Sequence, residues 1–182
     1  AAAGAVGSVA AQIARIKGCY VIGSAGSAEK CEWLENELGI DVAINYKEGV
    51  LRKNLKAAAT QGIDVYFENV GGEHLDAALP RMNVGGRIPV CGMISAYNNF
   101  GARSTGVTTL SNMVYQRITM RGFVVTDFEE KREKFLDDMR GWVAGGQMKY
   151  RETVFEGIEQ AADALIGLFT GENIGKALVK LD

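Results

Sequence analysis

The sequence predicts an α/β fold with a mainly parallel sheet, and three observations lead to this prediction. Short apolar segments alternate with helical stretches of about ten to fifteen residues, the spacing of parallel strands joined by right-handed crossovers. A glycine-bearing turn, AAAGAVG, stands at residues 1–7 directly before a helical pattern. No internal repeat and no low-complexity linker interrupts the alternation.

The first half of the chain begins with a helix, because apolar residues recur at helical spacing after the turn until Gly18 ends the pattern. Ser27 is a suitable N-cap for the second helix, and Glu29 suits the positive end of that helix. In order, the predicted elements are a helix with Val6, Val9, Ala10, Ile13 and Ile16, a strand at 19–25, a helix with Cys31, Leu34 and Leu38, a strand in DVAINY and a helix at 50–60.

The second half continues the alternation and then changes character. Its predicted elements are strands at 64–70 and 86–92 flanking a helix at 73–82, a polar loop at 95–106, a helix around 108–117 and a strand at 119–125. A helix follows with Phe135, Leu136, Met139, Trp142 and Val143. YRETVF and KALVKL then bracket a helix with Ala161, Ala162, Leu165, Ile166 and Phe169. We expect both bracketing segments to be strands with no partner in this chain.

Composition limits the classes of function. With 182 residues, 47% of them hydrophobic, the chain can form one sizeable core. A formal net charge of −2 without a long basic run disfavours nucleic acid and anionic membranes as partners, and no apolar run approaches the ~20 residues of a membrane span. Three cysteines far apart predict no disulfide framework and a reducing cytoplasm. With the single His74 they show no metal-ligand spacing, so we expect no metal.

The opening turn matches A-x-G-x-x-G, a variant of the dinucleotide-binding fingerprint, over residues 2–7. Gly4 would let backbone N–H groups approach a pyrophosphate at the helix N-terminus, and Gly7 would let the helix lie close to the sheet. Glycines also serve ordinary turns, but here a strand and a second helix follow at βαβ spacing. The turn therefore predicts a dinucleotide site.

The acid expected about 20 residues after such a turn, where it would bind a ribose, is missing. The sequence has Ser24, Ala25, Gly26 and Ser27 there, followed by Lys30. An acid would repel a 2′-phosphate, whereas the hydroxyl of Ser27 and the ammonium of Lys30 suit one. The site therefore favours NADP(H) over NAD(H); the alternative for Lys30 is a solvated helix surface.

Seven segments, in chain order, resemble the zinc-independent medium-chain dehydrogenase/reductases, most closely the 2-alkenal and prostaglandin reductases, plant double-bond reductases and bacterial curcumin reductase. The segments are GAVGSVAAQIA, AGSAEKC, INYK, VYFENVGGE, GRIPVCGMISAYNN, GFVV and GENIGK. The resemblance covers essentially the whole chain, and CGMISAYNN and VYFENVGG are its most specific parts. It implies a Rossmann-type doubly wound sheet that binds NADPH, and hydride addition to the carbon–carbon double bond of an α,β-unsaturated aldehyde or ketone.

The resemblance also assigns residues to the cofactor. It implies that Gly4, Ala5, Val6 and Gly7 bind the pyrophosphate, that Lys30 and Tyr46 lie at the 2′-phosphate, and that Asn69 lies near the ribose and nicotinamide. A loop that wraps the cofactor is matched by Cys91, Gly92, Met93, Ile94, Ser95 and Tyr97. A strand end that faces the nicotinamide is matched by Phe123, Val124 and Val125. Asn173 matches a cofactor contact late in the chain. Ala2 replaces the first glycine of the general fingerprint, which is common in this family.

Tyr97 is the candidate catalytic residue. Reduction of an enal places negative charge on the carbonyl oxygen, and a phenol can donate a hydrogen bond to that oxygen or to the ribose. The alternative for Tyr97 is a packed aromatic ring with its hydroxyl on backbone or water. We expect His74 on the surface and Cys91 as a buried strand thiol, neither of them catalytic.

Three other functions stay open from the sequence. An NADPH:quinone reductase would share the same cofactor domain. An S-adenosylmethionine methyltransferase also has a glycine turn and a parallel sheet, but it ordinarily needs the missing ribose-binding acid. A dinucleotide-binding module without activity is the third alternative.

We expect residues 1–145 to form the NADP-binding domain and residues 146–182 to return to a catalytic domain. The strand that should precede Ala1 is the central one in the doubly wound order. We therefore expect these residues to be the C-terminal part of a longer polypeptide, whose absent part holds that strand and most of the substrate pocket. Alone, they should bind NADPH weakly and not reduce enals. A small enal or enone as substrate and a cytoplasmic homodimer complete the expectation.

Overall fold

The computed structural model describes residues 1–97 and 106–181, and they divide into two compact units. The first unit comprises Ala1–Tyr46 and Glu133–Asp182, and the second comprises Lys47–Arg132. Each contains parallel strands connected through helices, so the predicted α/β fold is confirmed. Part of the predicted loop at 95–106 lies outside the described residues.

The first unit contains a two-stranded parallel sheet at its N-terminal part. Its elements are α1 (Ala5–Ile16), β1 (Ile22–Ala25), α2 (Ala28–Glu32) continued by a π-helical turn (Trp33–Glu37), and β2 (Val42–Asn45). Strands β1 and β2 pair from Ile22↔Val42 to Ala25↔Asn45. The core beside them is apolar and includes Trp33, Leu34, Leu38 and Ile40. The stripe predicted for the second helix is thus largely buried, as its periodicity indicated.

The C-terminal part of the first unit corrects one expectation. It contains α6 (Arg132–Ala144, which starts at the unit boundary), β6 (Glu152–Glu156), α7 (Ala161–Thr170) and β7 (Lys176–Lys180). Strands β6 and β7 pair with each other in parallel, from Glu152↔Lys176 to Glu156↔Lys180. The prediction that they lack partners in this chain was wrong, because α7 serves as the crossover of a βαβ unit.

The second unit is built on a three-stranded parallel sheet in the order β3–β4–β5. Its elements are α3 (Leu51–Ala58), β3 (Ile63–Val65), α4 (Gly72–Ala78) with a 3₁₀ turn (Leu79–Arg81), β4 (Met82–Val90), a 3₁₀ turn (Ile94–Ala96), α5 (Asn112–Tyr115), β5 (Thr119–Gly122) and a 3₁₀ segment (Val125–Lys131). Its core consists of Leu75, Leu79, Met82, Ile88 and Ile118. The carboxyl ends of these strands form one edge of the sheet.

Three elements of the second unit are shorter than predicted. The strand predicted at 64–70 is regular only over Ile63–Val65, with a register shift between these two residues, although the Glu68 amide still bonds to the Pro89 carbonyl. The strand predicted at 119–125 ends at Gly122. The helix predicted around 108–117 is α-helical only over Asn112–Tyr115. Before it, the Asp76 carboxylate accepts the amides and hydroxyls of Thr108 and Thr109 and holds that segment as a turn.

Candidate functional site

In the first unit, the glycine turn leads directly into α1. Gly4 is the N-cap residue of α1 and has an extended backbone conformation. No side chain caps the first amides of the helix, and its first turn contains no acid. A Cβ on Gly7 would overlap the Ala1 carbonyl oxygen and lie 2.9 Å from the Ala2 Cα, so only glycine permits this close approach. A Cβ on Gly4 would meet only the Ala1 oxygen, at 3.7 Å. The chain itself therefore leaves the Gly4 side of the turn uncrowded.

Ser27 and Lys30 lie just after the carboxyl end of β1. The Ser27 hydroxyl accepts the Lys30 amide at 3.3 Å, so its predicted N-cap role is confirmed. The Lys30 ammonium donates to the Gly171 carbonyl at the C-terminal end of α7. Tyr46 follows β2 at the same edge, and its amide donates to the Ala25 carbonyl at 3.0 Å. The edge of the β1–β2 sheet thus carries all three.

The glycine turn and the Asn173 turn are joined within the first unit. The Ala2 amide donates to the Ser24 carbonyl at 2.8 Å, which places the turn beside the end of β1. The Gly175 amide donates to the Ala3 carbonyl at 2.8 Å, and the Asn173 side-chain amide donates to the Gly175 carbonyl at 2.7 Å. The structure therefore places Asn173, the predicted cofactor contact near the end of the chain, next to the glycine turn near its start.

In the second unit, Asn69, Gly92 and Tyr97 come together at the carboxyl end of the sheet. A Cβ on Gly92 would lie 2.6 Å from the Asn69 Oδ1 and 3.0 Å from the Tyr97 hydroxyl oxygen. Glycine at this position is what allows the amide of Asn69 and the phenol of Tyr97 to approach the same backbone. In open parallel sheets this edge is where ligands bind.

Tyr97 is exposed, and its hydroxyl oxygen accepts the Met93 amide at 3.2 Å. Because that oxygen acts as the acceptor, the phenolic proton points elsewhere and is available to another acceptor. Ile94 and Ser95 are tied to the preceding turn, since the Ile94 amide donates to the Asn69 carbonyl at 3.3 Å and the Ser95 amide to the Val70 carbonyl at 3.0 Å. The Ser95 hydroxyl also donates to the Val70 carbonyl.

The three residues predicted at a strand end lie after β5 and border an aromatic cluster. The Phe123 ring meets Phe67 edge-on at 6.4 Å and Phe128 at 5.8 Å between centroids. Val124 and Val125 are exposed, at 62% and 81% of their surface. These rings and the two exposed valines therefore form an apolar and aromatic patch in this part of the second unit.

Two further expectations concern His74 and Cys91. His74 is half-buried on α4, and burial lowers its pKa to about 4, so the prediction of a surface histidine was wrong. The burial was missed because a histidine at a helix start, after Gly71 and Gly72, is expected to face solvent. Cys91 is a free, half-buried thiol just after β4.

Sequence reasoning gave no role to Glu68, which is fully buried directly before Asn69. Its carboxylate accepts two backbone amides of the turn that follows. The available signal was an acid that directly follows the apolar run Val65–Phe67 inside the strand predicted at 64–70.

The chain matches the family model described as zinc-binding dehydrogenase over residues 5–140. It belongs to this zinc-binding dehydrogenase family. Within residues 1–97 and 106–181, no three His, Cys, Asp or Glu side chains form a cluster suited to a metal ion. Over the same residues, no helix is both long and apolar enough to span a membrane.

Relatives of this family member include prostaglandin reductase 1 of Bos taurus, 48% identical over 99% of the chain and 55% of its own length. A 2-alkenal reductase (NADP(+)-dependent) of Nicotiana tabacum is 48% identical over 98% of the chain and 52% of its own length. CurA of Vibrio vulnificus, solved in complex with NADPH, has a TM-score of 0.94 and 43% identity, covering all of the chain and 55% of CurA. The resemblance stated from the sequence is confirmed, and the chain spans about half the length of these relatives.

Proposed function

We propose that the complete protein reduces the activated carbon–carbon double bond of α,β-unsaturated aldehydes or ketones with NADPH, and that this chain supplies its cofactor-binding part. One observation carries the proposal: the Tyr97 hydroxyl accepts the Met93 amide, which leaves its proton free beside Asn69 and Gly92. Relatives at 44–48% identity named prostaglandin, 2-alkenal and (+)-pulegone reductases support the substrate class.

The residues of the first unit fit NADPH. The uncrowded Gly4 side of the turn leaves room for a pyrophosphate at the N-terminus of α1, where the first amides have no intrahelical partner. The edge that holds Ser27, Lys30 and Tyr46 lacks an acid in the ribose-binding position and offers one ammonium for a 2′-phosphate. In the second unit, Asn69 can donate its side-chain amide to the ribose or nicotinamide.

NADPH, when bound, supplies the hydride that reduces the β-carbon of the substrate. The negative charge that develops on the carbonyl oxygen needs a donor fixed in advance. Tyr97 can be that donor, because the Met93 amide both orients its hydroxyl and polarises its O–H bond. The α-carbon then receives a proton from water, or from Tyr97, which regains its own proton from solvent, and this gives the saturated product.

The test is turnover by the full-length protein. NADPH oxidation is followed with a 2-alkenal, an enone and a benzoquinone, each with NADPH and with NADH. We expect the 2-alkenal and the enone to be reduced with NADPH, and NADH to be a much poorer donor. Faster reduction of the quinone than of both other substrates would instead favour a quinone reductase. Binding of NADPH without turnover of any substrate would favour a module without activity.

The domain organisation and assembly belong to the same proposal. We place the NADP-binding part at residues 1–145, and we assign residues 146–182 to the contact with a catalytic domain. In support, Val154 of β6 and Leu178 of β7 form a registered apolar pair that is 47% and 36% exposed in this chain. We also place the protein in the cytoplasm as a homodimer. Light scattering of the full-length protein would return the mass of a monomer if the dimer assignment is wrong.

A further inference from the structure

The carboxylate of Glu68 is fully buried in the second unit and makes several hydrogen bonds through one oxygen. Its Oε1 accepts the Val70 amide at 2.6 Å, the Gly71 amide at 2.8 Å and the Tyr66 hydroxyl at 3.2 Å. Bonds from neutral donors to a charged acceptor are about twice as strong as those between neutral groups. Glu68 therefore holds the backbone firmly a short distance after the end of β3 at Val65.

The bonds of Glu68 hold a turn that depends on glycine. Gly71 and Gly72 have φ angles of 76° and 52°, in the left-handed region. Because glycine samples many conformations, these two glycines do not by themselves fix the backbone conformation of the turn. The carboxylate selects one of them by accepting the amides at the second and third residues after Glu68.

The same turn supports the loop that carries Tyr97. The Glu68 carbonyl accepts the amides of Cys91 and Gly92 at 2.9 and 3.3 Å. The carbonyls of Asn69 and Val70 accept the amides of Ile94 and Ser95. A displacement of the Asn69–Gly72 turn would therefore move the Cys91–Tyr97 segment, because each of these bonds joins the two backbones directly.

The second carboxylate oxygen of Glu68, Oε2, makes the burial of this side chain unfavourable. Among the described residues, none donates a hydrogen bond to Oε2, although this atom is buried. A buried carboxylate oxygen without a donor lowers stability. A neutral acceptor would avoid this cost but would bind the two amides and the Tyr66 hydroxyl less strongly, so the presence of a carboxylate points to a role beyond packing.

We infer that Glu68 is a positioning residue of the proposed reductase: through the Asn69–Gly72 turn, its carboxylate sets Asn69 and the Met93–Tyr97 loop for reaction. The inference rests on the proposed function for the step that Tyr97 performs. Its structural part, the control of one loop by one carboxylate, can be measured without turnover.

The experiment compares Glu68→Gln and Glu68→Asp in the full-length protein. Glutamine keeps the size of the side chain and loses the charge. Aspartate keeps the charge and can accept amides two and three residues on, as it does in Asx turns. Asp76→Asn is the matched control, because Asp76 also accepts two consecutive amides in the same unit but holds Thr108 and Thr109.

Two readouts are taken, amide hydrogen exchange by mass spectrometry and steady-state kinetics. For Glu68→Gln we expect faster exchange in peptides covering residues 69–72 and 91–97, and unchanged exchange in β6 and β7. We expect kcat to fall about 10- to 100-fold, the range for misplacement near 1 Å, with KM for NADPH changed less than about 3-fold. Glu68→Asp should restore most of both, and Asp76→Asn should leave both near wild type.

The remaining outcomes decide against the inference or separate it from the proposed function. Unchanged exchange at 69–72 and 91–97 in Glu68→Gln overturns it, and so does faster exchange in all peptides, which indicates a purely structural role. Equal losses of kcat for Glu68→Gln and Glu68→Asp also overturn it. If the wild-type protein reduces no enal or enone, the proposed function fails, and the exchange data alone decide whether Glu68 controls the loop.

Discussion

The first unit positions its predicted ligand-binding residues mainly through backbone bonds, whereas the second unit uses a buried side chain. In the first unit, amide–carbonyl bonds tie the glycine turn to β1 and to Gly175. In the second, the carboxylate of Glu68 organises the turn that precedes Tyr97. Backbone bonds are preserved in most substitutions, so the first site should tolerate changes of side chain that the second does not.

The same difference agrees with the roles that we propose for Gly4 in cofactor binding and for Tyr97 in chemistry. A pyrophosphate needs only amides and a helix end, which the backbone supplies as long as glycine at position 7 keeps the turn close to the helix. A donor for one carbonyl oxygen must be held within a fraction of an ångström, so its support has to be specific. The three hydrogen bonds to Oε1 of the buried Glu68 and the glycine at position 92 would provide such support in the second unit.

The largest effect is expected for Tyr97→Phe in the full-length protein. The substitution removes the donor that we propose for the carbonyl oxygen, and loss of one such donor costs about 100- to 1,000-fold in kcat. Affinity for NADPH should change much less. Tyr115→Phe is the control, since Tyr115 is a largely exposed tyrosine of the same unit. Unchanged turnover with both substrates saturating would leave Tyr97 as a packing residue.

A second test concerns His74 and the stability of the second unit. Burial lowers the pKa of His74 to about 4, against an ordinary value of 6.5. Between these values the unfolded chain binds a proton that the folded chain does not, so the free energy of unfolding should decrease as the pH falls from 6.5 to 4. The loss is on the order of 3 kcal/mol and is absent above pH 6.5.

Denaturant titrations at several pH values measure the contribution of His74. His74→Gln should flatten the decrease between pH 6.5 and 4, whatever its effect at neutral pH. Parallel curves for the variant and the wild type would show that other groups cause the pH dependence. Because His74 lies on α4, a steeper loss should appear in second-unit peptides than in β6 and β7 when exchange is followed.

The third test returns to the first unit. Lys30→Ala should weaken NADPH binding by about 1.5–3 kcal/mol, the contribution of a hydrogen bond to a charged group, and should leave NADH nearly unaffected. Lys17→Ala is the control, because Lys17 lies at the opposite end of α1 from the glycine turn, over the Trp142 ring. Equal losses for both nucleotides in a titration would refute the assignment of Lys30 to the 2′-phosphate.

The features of the two units differ in how far the sequence could predict them. The helix after Gly4, the cap at Ser27 and the stripe with Leu34 and Leu38 follow from spacings of a few residues, and the structure has them. The pairing of β6 with β7 was missed, because a strand's partner depends on the crossover and not on its own residues. Glu68 was missed for a similar reason: its role depends on a turn whose conformation the local pattern does not specify.

The smallest effect expected is that of Tyr66→Phe, which removes only the hydroxyl bond to Glu68. Since Oε1 keeps both amides, the turn should stay in place and the free energy of unfolding near neutral pH should fall by about 0.5–1.5 kcal/mol. Tyr150→Phe, at an exposed tyrosine of the first unit, should cost almost nothing. A large loss of turnover in Tyr66→Phe would contradict the view that the amide bonds of Glu68, rather than the phenol, fix the loop.

Alkaline conditions should reverse part of that small effect. Burial and then the charge of Glu68 raise the pKa of Tyr66 above its ordinary value of 10.0. Above pH 10 the unfolded chain therefore loses a proton that the folded chain keeps, so wild-type stability should decrease with rising pH. Phenylalanine cannot ionise, so the gap between Tyr66→Phe and the wild type should narrow above pH 10. Denaturant titrations on both sides of pH 10 measure this gap, and a constant gap would mean that the Tyr66 hydroxyl is not buried beside the Glu68 charge in solution.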